Sequence, residues 1–329
     1  MFKGWLIKRD ENGYGATFTA LDEAQLPNED VLIKVHHSSM NYKDGLALTG
    51  KAPIVRKFPM VPGIDLAGVV EESRSPDFKR GDEVILNGYG LGEQFWGGYA
   101  EYARVKPEWI IRRPERFSLA QCMAIGTAGY SAMLAVLALE QHGITSGSGD
   151  ILVTGASGGV GGYSIALLAK LGYNVVAATG RLEETAYLKS LGAREVIDRA
   201  QFAGPGKALG RERWAGAIDN AGSHTLANIC ATMQSRGVVA ACGMAQGIDL
   251  PATVAPFIVR GVTLVGIDSA TCPMAQRLVA WRRLSDDLNI EVLTTIAHRR
   301  PLAEALNTAT EILSGRIRGR VVIDVAKAS

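Results

Sequence analysis

The sequence predicts an α/β protein made of a β-rich small barrel and a doubly wound parallel sheet of six strands. Three observations predict it. Short strand-like runs separated by Gly/Pro turns fill the first third of the chain. From Asp150 onward the pattern becomes an alternation of strand and helix. The last strand-like run, Val321-Val-Ile-Asp-Val325, has no helix behind it and is expected to return to the barrel. The expected organisation is a barrel domain over 1–125 plus 296–329, a nucleotide domain over 126–295, and a cleft between them.

In chain order, Val31-Leu-Ile-Lys-Val-His-His-Ser-Ser39, Asp65-Leu-Ala-Gly-Val-Val-Glu71, Glu83-Val-Ile-Leu86 and Tyr99-Ala-Glu-Tyr-Ala-Arg-Val105 read as barrel strands. Residues 41–50 read as one or two helical turns stopped by Gly50. Ser118 and Gln121 form a capping box, Gly126 to Gly129 break the helix it opens, and 130–139 form a second, apolar helix. The sheet strands are expected at 151–154, 175–179, 195–198, 216–220, 238–242 and 262–267. Helices are expected at 183–191, 224–233, 274–288 and 301–313.

The organising stretch is Ile151-Leu-Val-Thr-Gly-Ala-Ser-Gly-Gly-Val-Gly-Gly162, a strand, a glycine turn and a helix start. That context is what a dinucleotide fingerprint requires. Ser157, Gly158, Gly159, Val160 and Gly161 are expected to hold a pyrophosphate, with Gly158 giving close approach and Gly161 close helix packing. An NAD site usually ends the next strand with a carboxylate. This chain has Thr179-Gly180-Arg181 there, and no acid before Glu183. An arginine suits a 2′-phosphate, so the cofactor reads as NADP(H). Met244 and Ser269 follow the fifth and sixth strands, whose carboxyl ends face the ligand crevice, so both are expected near the nicotinamide.

Composition narrows the classes. With 329 residues and a formal charge of +2, the chain has neither the charge nor the basic run of a nucleic-acid surface. No signal peptide or membrane span is expected. Cys122, Cys230, Cys242 and Cys272 are widely spaced and read as thiols of a reducing cytoplasm.

Several segments resemble the medium-chain dehydrogenase/reductase superfamily in its zinc-less, quinone-oxidoreductase-like part: Pro62-Gly-Ile-Asp-Leu-Ala-Gly68, Gly81-Asp-Glu-Val84, Gly97-Gly-Tyr-Ala-Glu101 and Gly155-Ala-Ser-Gly-Gly-Val-Gly161. Asn41-Tyr-Lys-Asp44, Trp214-Ala-Gly-Ala-Ile-Asp219 and Pro256-Phe-Ile-Val-Arg260 are similar to the acrylyl-CoA reductase (NADPH) branch. The resemblance implies a GroES-like barrel domain and a Rossmann domain. It implies NADPH-dependent reduction of acryloyl-CoA to propanoyl-CoA, with a quinone or enone oxidoreductase as the alternative. A nucleotide-bound binding protein is a third reading. The zinc enzymes carry Cys and His where this chain has Asn41 and Ile64, so no metal is expected. By the same resemblance Tyr42 and Asn41 sit beside the reacting carbon, either offering a hydrogen bond to the thioester oxygen, with Tyr42 also against the cofactor. Lys43 and Asp44 read as an ion pair at a helix start, and Asp65 as either a buried structural acid or a catalytic one. Arg199 and Ile258 correspond to cofactor contacts. Arg316, Arg318 and Arg320, or Arg282 and Arg283, are candidates for the phosphates of coenzyme A. A homodimer joined through the sixth strand is implied.

Overall fold

The structure is a computed structural model, and it describes residues 1–11 and 13–326. Two antiparallel strands open the chain, β1 (Phe2–Asp10) and β2 (Gly13–Leu21), followed by β3 (Val31–Met40) and helix α1 (Tyr42–Thr49). Next come β4 (Asp65–Ser73), β5 (Glu83–Asn87), β6 (Tyr102–Val105), β7 (Ile111–Arg112) and α2 (Leu119–Gln141). The alternating stretch runs β8 (Asp150–Val153), α3 (Gly159–Lys170), β9 (Asn174–Thr179), α4 (Thr185–Ser190), β10 (Glu195–Asp198), β11 (Trp214–Asp219), α5 (Ser223–Thr232), β12 (Met233–Ala241), α6 (Ala255–Val259) and β13 (Thr263–Gly266). The chain ends with α7 (Met274–Asp287), α8 (Glu291–Ile296), β14 (Ala297–Pro301), α9 (Ala305–Leu313) and β15 (Arg320–Asp324).

Two compact units result. The first comprises Met1–Thr127, Ser269–Ser285 and the segment from Leu293; the second comprises Ala128–Asp268 and Asp286–Val292. The expected division assigned 269–285 to the nucleotide domain. Those residues pack on the first unit instead, because Arg277 donates to the Asn87 carbonyl at 2.6 Å and Tyr89 N donates to the Ala270 carbonyl at 2.9 Å.

In the first unit a seven-stranded sheet runs β14-β15-β3-β4-β5-β7, with β6 also on β3. The final strand returns antiparallel to β3, pairing Val321 with Met40, as expected from its lack of a following helix. β14 was not anticipated as a strand, since Ala-His-Arg-Arg-Pro carries no apolar alternation. Val31, Ile33, Val35, Leu66, Leu86 and Tyr99 form part of the core under this sheet. Gly68 is obligatory on β4, since a Cβ there would stand 2.1 Å from the Lys34 carbonyl oxygen.

In the second unit all six strands are parallel, in the order β10-β9-β8-β11-β12-β13. The order reverses between β8 and β11, the switch point where such sheets open a crevice. β13 lies at the sheet edge, with Thr263, Leu264 and Val265 half-buried.

α2 departs from expectation. It is long and apolar enough to cross a membrane by composition, with mean hydropathy 1.8, although no such stretch was anticipated. Here it is a core helix: 83% of that window is buried within the protein. Gly126, at φ 48° and ψ −159°, interrupts it, and the Ser118–Gln121 capping box opens it as expected.

Candidate active site

The first unit holds a buried polar centre around Asp65. Its Oδ2 accepts from Asn41 Nδ2 at 2.9 Å, from Thr127 N at 3.0 Å and from the Ser39 hydroxyl. Its Oδ1 accepts from Asn87 Nδ2 at 2.7 Å and from Thr127 Oγ1 at 2.5 Å. Arg320 lies beside it, 3.7 Å from Oδ2, donating to Ser39 Oγ at 2.7 Å, Asn41 Oδ1 at 2.8 Å and the Met40 carbonyl at 3.1 Å. Gly126 makes room for this cluster, because a Cβ there would fall 2.3 Å from Arg320 Nη2 and 2.9 Å from Asp65 Oδ2. The break in α2 thereby delivers the Thr127 amide and hydroxyl to the carboxylate.

This geometry shows what the expected site residues touch. Asp65 is the hub of a hydrogen-bonded network. Asn41 is committed as well: its amide nitrogen serves Asp65 and, at 3.1 Å, Asp44, while its backbone N donates to Asp44 at 2.9 Å and caps α1. The hydrogens expected to serve a substrate oxygen are therefore engaged. Arg320, offered as a cation for coenzyme A, is instead buried in this centre. Lys43 and Asp44 do not pair. Lys43 reaches Glu93 at 2.7 Å, and Asp44 accepts from Asn41 and, at 2.9 Å, from Ile64 N. Burial pushes the Asp44 carboxyl up to about 7, with the negative charge of Asp65 adding to it. Tyr42, the first residue of α1, is 52% exposed. Ser39, Asn87 and Thr127 were missed. For Ser39 the trace was the Ser38-Ser39 pair at the end of an apolar strand; Asn87 and Thr127 left none. The carbonyl oxygen of the Asn87 side chain is buried with no hydrogen-bond partner in the protein.

The second unit gathers a different set at the carboxyl ends of β8 and β9. Gly155, at φ 56°, makes the turn after β8. Gly158 is the N-cap of α3 and offers no side chain to its first amides, so those of Gly159, Val160 and Gly161 have no side-chain cap. Gly161 is required by packing, since a Cβ would lie 2.4 Å from the Gly155 carbonyl oxygen. Ser157 Oγ and Thr179 Oγ1 lie 3.1 Å apart, and Thr179 Oγ1 accepts from Arg181 N at 3.0 Å. The Arg181 guanidinium donates to Ser157 Oγ at 2.9 Å and to the Ser157 carbonyl at 3.1 Å. Arg199 lies against Gly180, whose absent Cβ would come 2.5 Å from Arg199 Nε. Asp198, the nearest acid in sequence, turns away to cap Ala200 N at 2.8 Å.

Two guanidinium groups, two hydroxyls and an uncapped glycine-rich helix start thus share one end of the sheet. That donor set fits a dinucleotide bearing an extra phosphate on its ribose. Behind it Thr154 Oγ1 donates to Asp219 Oδ1 at 2.6 Å, and Asn220 Nδ2 donates to the Thr154 carbonyl at 2.8 Å, tying β8 to β11. Met244, past the end of β12, and Ile258, on α6, are 69% and 76% exposed. Ser269 falls in the first unit, where its carbonyl accepts from Arg277. Among the described residues no group of three or more His, Cys, Asp or Glu side chains is placed to hold a metal ion.

Comparison with known proteins gives two family matches, the alcohol dehydrogenase GroES-like domain over residues 27–115 and zinc-binding dehydrogenase over residues 159–284. A probable acrylyl-CoA reductase AcuI of Escherichia coli is 49% identical over 97% of the chain and 98% of that protein. Acrylyl-CoA reductase AcuI of Ruegeria pomeroyi is 45% identical over 99% of both. A putative quinone oxidoreductase, YhfP of Bacillus subtilis, is 44% identical over 98% of both. Among solved structures, the Salmonella enterica yhdH oxidoreductase in complex with NADP has a TM-score of 0.96 at 47% identity, covering 98% of this chain and 99% of that one. Bacillus subtilis yhfP with NAD bound has a TM-score of 0.94 at 44% identity, covering 98% and 99%.

Proposed function

The chain belongs to the medium-chain dehydrogenase/reductase superfamily, in its acrylyl-CoA reductase branch, and from that premise we propose that it reduces acryloyl-CoA to propanoyl-CoA with NADPH. The observation that carries this reading is the 49% identity, over nearly the whole chain, to a relative of that name. The phosphate-binding end of the parallel sheet supports it. Ser157 and the α3 amides take the pyrophosphate, and Thr179, Gly180, Arg181 and Arg199 take the ribose phosphate. Met244, Ile258 and Ser269 are assigned to the nicotinamide end. Bound NADPH supplies a hydride for the β-carbon of the activated alkene.

The remaining tasks fall to this chain's residues. As hydride adds, negative charge moves onto the thioester oxygen, and a fixed donor there lowers the barrier. Tyr42 is the donor we assign, since it stands exposed at the first position of a capped helix. Asn41 positions it by capping α1 rather than by touching substrate. The α-carbon then takes a proton. Tyr42→Phe is expected to lower kcat with little change in the KM for NADPH, which steady-state kinetics at 340 nm checks.

A quinone or enone reductase is the second reading, favoured by the 44% identity to a putative quinone oxidoreductase. NADPH oxidation with acryloyl-CoA, crotonoyl-CoA and a simple quinone in parallel separates the two. Turnover of the quinone alone would discard the thioester. We also assign the protein to the cytoplasm, in keeping with four free thiols, and to a homodimer joined through the edge strand β13. Exposed Ile248, Leu250, Val254 and Val259 lie on the segment leading into that edge. Light scattering on the purified chain tests the dimer.

A further inference from the structure

The hairpin that opens the chain leaves one edge of its sheet bare. β1 pairs antiparallel with β2 from Phe2 opposite Leu21 to Asp10 opposite Gly13, and the register runs without a bulge. The far edge of β1 is occupied. Trp5 N donates to the Tyr99 carbonyl at 2.9 Å, Ile7 N to the Met60 carbonyl at 2.7 Å, Met60 N to the Ile7 carbonyl at 2.9 Å, and Glu101 N to the Lys3 carbonyl at 3.0 Å. The backbone groups of Lys3, Trp5 and Ile7 therefore point away from β2. In an antiparallel ladder the residues opposite them, Ala20, Phe18 and Ala16, then point away from β1. Among the described residues no backbone group of another element bonds to these three. The Ala20 carbonyl accepts from the Thr19 hydroxyl of its own strand at 3.4 Å.

Proteins usually blunt such an edge with a charge, a proline or a bulge. β2, Gly-Tyr-Gly-Ala-Thr-Phe-Thr-Ala-Leu, has none of the three. Its outer side is also uncrowded: Gly13, Gly15, Thr17 and Ala20 are exposed, and a Cβ on Gly13 or Gly15 would meet nothing within 4 Å. The middle of the strand reads the same in both directions, Ala16-Thr-Phe-Thr-Ala20. Two copies laid antiparallel about Phe18 place each Thr17 opposite the other copy's Thr19, and each Ala16 opposite the other's Ala20. The three residues with outward backbone groups then face one another, as a hydrogen-bonded ladder requires. Charge is complementary in the same register. Arg9 lies over the Tyr14 ring, 5.7 Å from its centroid, and among the described residues it forms no ion pair. Asp22 of the second copy, exposed and extended at φ −90° and ψ 141°, comes opposite Tyr14, on the face that carries Arg9.

We propose that β2 is an interface for a second copy of this chain, the two strands pairing antiparallel about a two-fold axis at Phe18. The contact is isologous, so one palindromic strand supplies both halves of it. It lies in the barrel unit and is separate from the edge strand β13 of the other unit. A single strand edge buries less than the roughly 1,200–2,000 Å² of a standard interface, so the association is weak and is measured at about 100 µM chain.

Light scattering tests it by comparing the wild type with Thr17→Lys/Thr19→Lys, which sets lysines of the two copies opposite each other twice. That variant is expected to keep a cooperative thermal transition and to show about half the wild-type mass. Thr17→Lys/Thr19→Glu sets unlike charges opposite each other in this register and is expected to regain the wild-type mass. Trapping checks the register itself. Positions 17 and 19 of facing strands form a non-hydrogen-bonded pair with Cα atoms about 4.5 Å apart, within disulfide reach. Under mild oxidation a mixture of the Thr17→Cys and Thr19→Cys variants is expected to give a linked pair, and neither variant is expected to do so alone. A wild type that is monomeric at that concentration overturns the interface. So does a mass that ignores the two lysines, which would leave β13 as the joint, or cross-linking of either cysteine variant alone as readily as the mixture.

Discussion

The two polar centres of this molecule, Asp65 in the barrel unit and Arg181 with Arg199 in the nucleotide unit, are built from opposite materials, the one around a buried carboxylate and the other around guanidinium groups. Around Asp65 the protein supplies the carboxylate's partners itself: one buried guanidinium beside it, and hydroxyl and amide donors brought from β3, β5 and α2. At the end of β9 two arginines and two hydroxyls come together, and Asp198, next to Arg199, is engaged in capping Ala200 N. The first centre spends nearly all its donors and acceptors on one another and so holds structure, with Asn87 Oδ1 the exception. The second gathers guanidinium and hydroxyl groups beside an uncapped helix start, a donor set that suits an anion.

That contrast can be broken or sharpened by substitution. Asp65→Ala should have the largest effect, because it leaves Arg320 as an uncompensated buried charge and strands the donors of Asn41, Asn87 and Thr127. A loss of about 3–5 kcal/mol in unfolding free energy is expected, read by urea denaturation. A loss under about 1 kcal/mol would mean that Asp65 is not the hub it looks to be.

Asp44 comes next. Folded, it keeps its proton up to about pH 7, whereas unfolded it releases it near 3.8. Between these values the folded state binds the extra proton, so stability is full below about pH 4 and declines as pH rises toward 7, by at most about 1.4 kcal/mol per pH unit. Asp44→Asn should remove that slope from a plot of thermal midpoint against pH. A slope that persists in the variant would assign the proton to another group.

Arg181→Ala should have the smallest effect on folding and the most selective effect on function. The KM for NADPH is expected to rise about tenfold while that for NADH barely moves, in keeping with one lost pairing to a phosphate. Equal losses for both cofactors would place Arg181 on the pyrophosphate instead.

The chain's own letters announced the second centre and hid the first. Glycines at 158 and 161 and the Thr179-Gly180-Arg181 run are local signals, each within one strand–turn–helix. The alternation of strand and helix likewise gave the parallel sheet, with its six strands within a few residues of their places. The Asp65 network joins residues far apart in sequence, from Ser39 to Arg320, so no window of the chain could display it. For the same reason Arg320 looked like one of three alternating surface arginines, when it is the first residue of β15, a strand buried from end to end. The grouping of 269–285 with the barrel unit was equally out of sight, since it depends on where Arg277 finds its carbonyls.

The return of β15 to β3 also bears on how the chain comes into being. By the time a ribosome has synthesised β13 it has released all six strands of the inserted unit. At that moment the first-made unit still lacks β15, and β3 carries an open edge. Asp65 has yet to meet Arg320. The barrel unit therefore closes only after the inserted unit has been made, and the nascent barrel depends on β15, which follows all six parallel strands, to seal its edge and neutralise its interior.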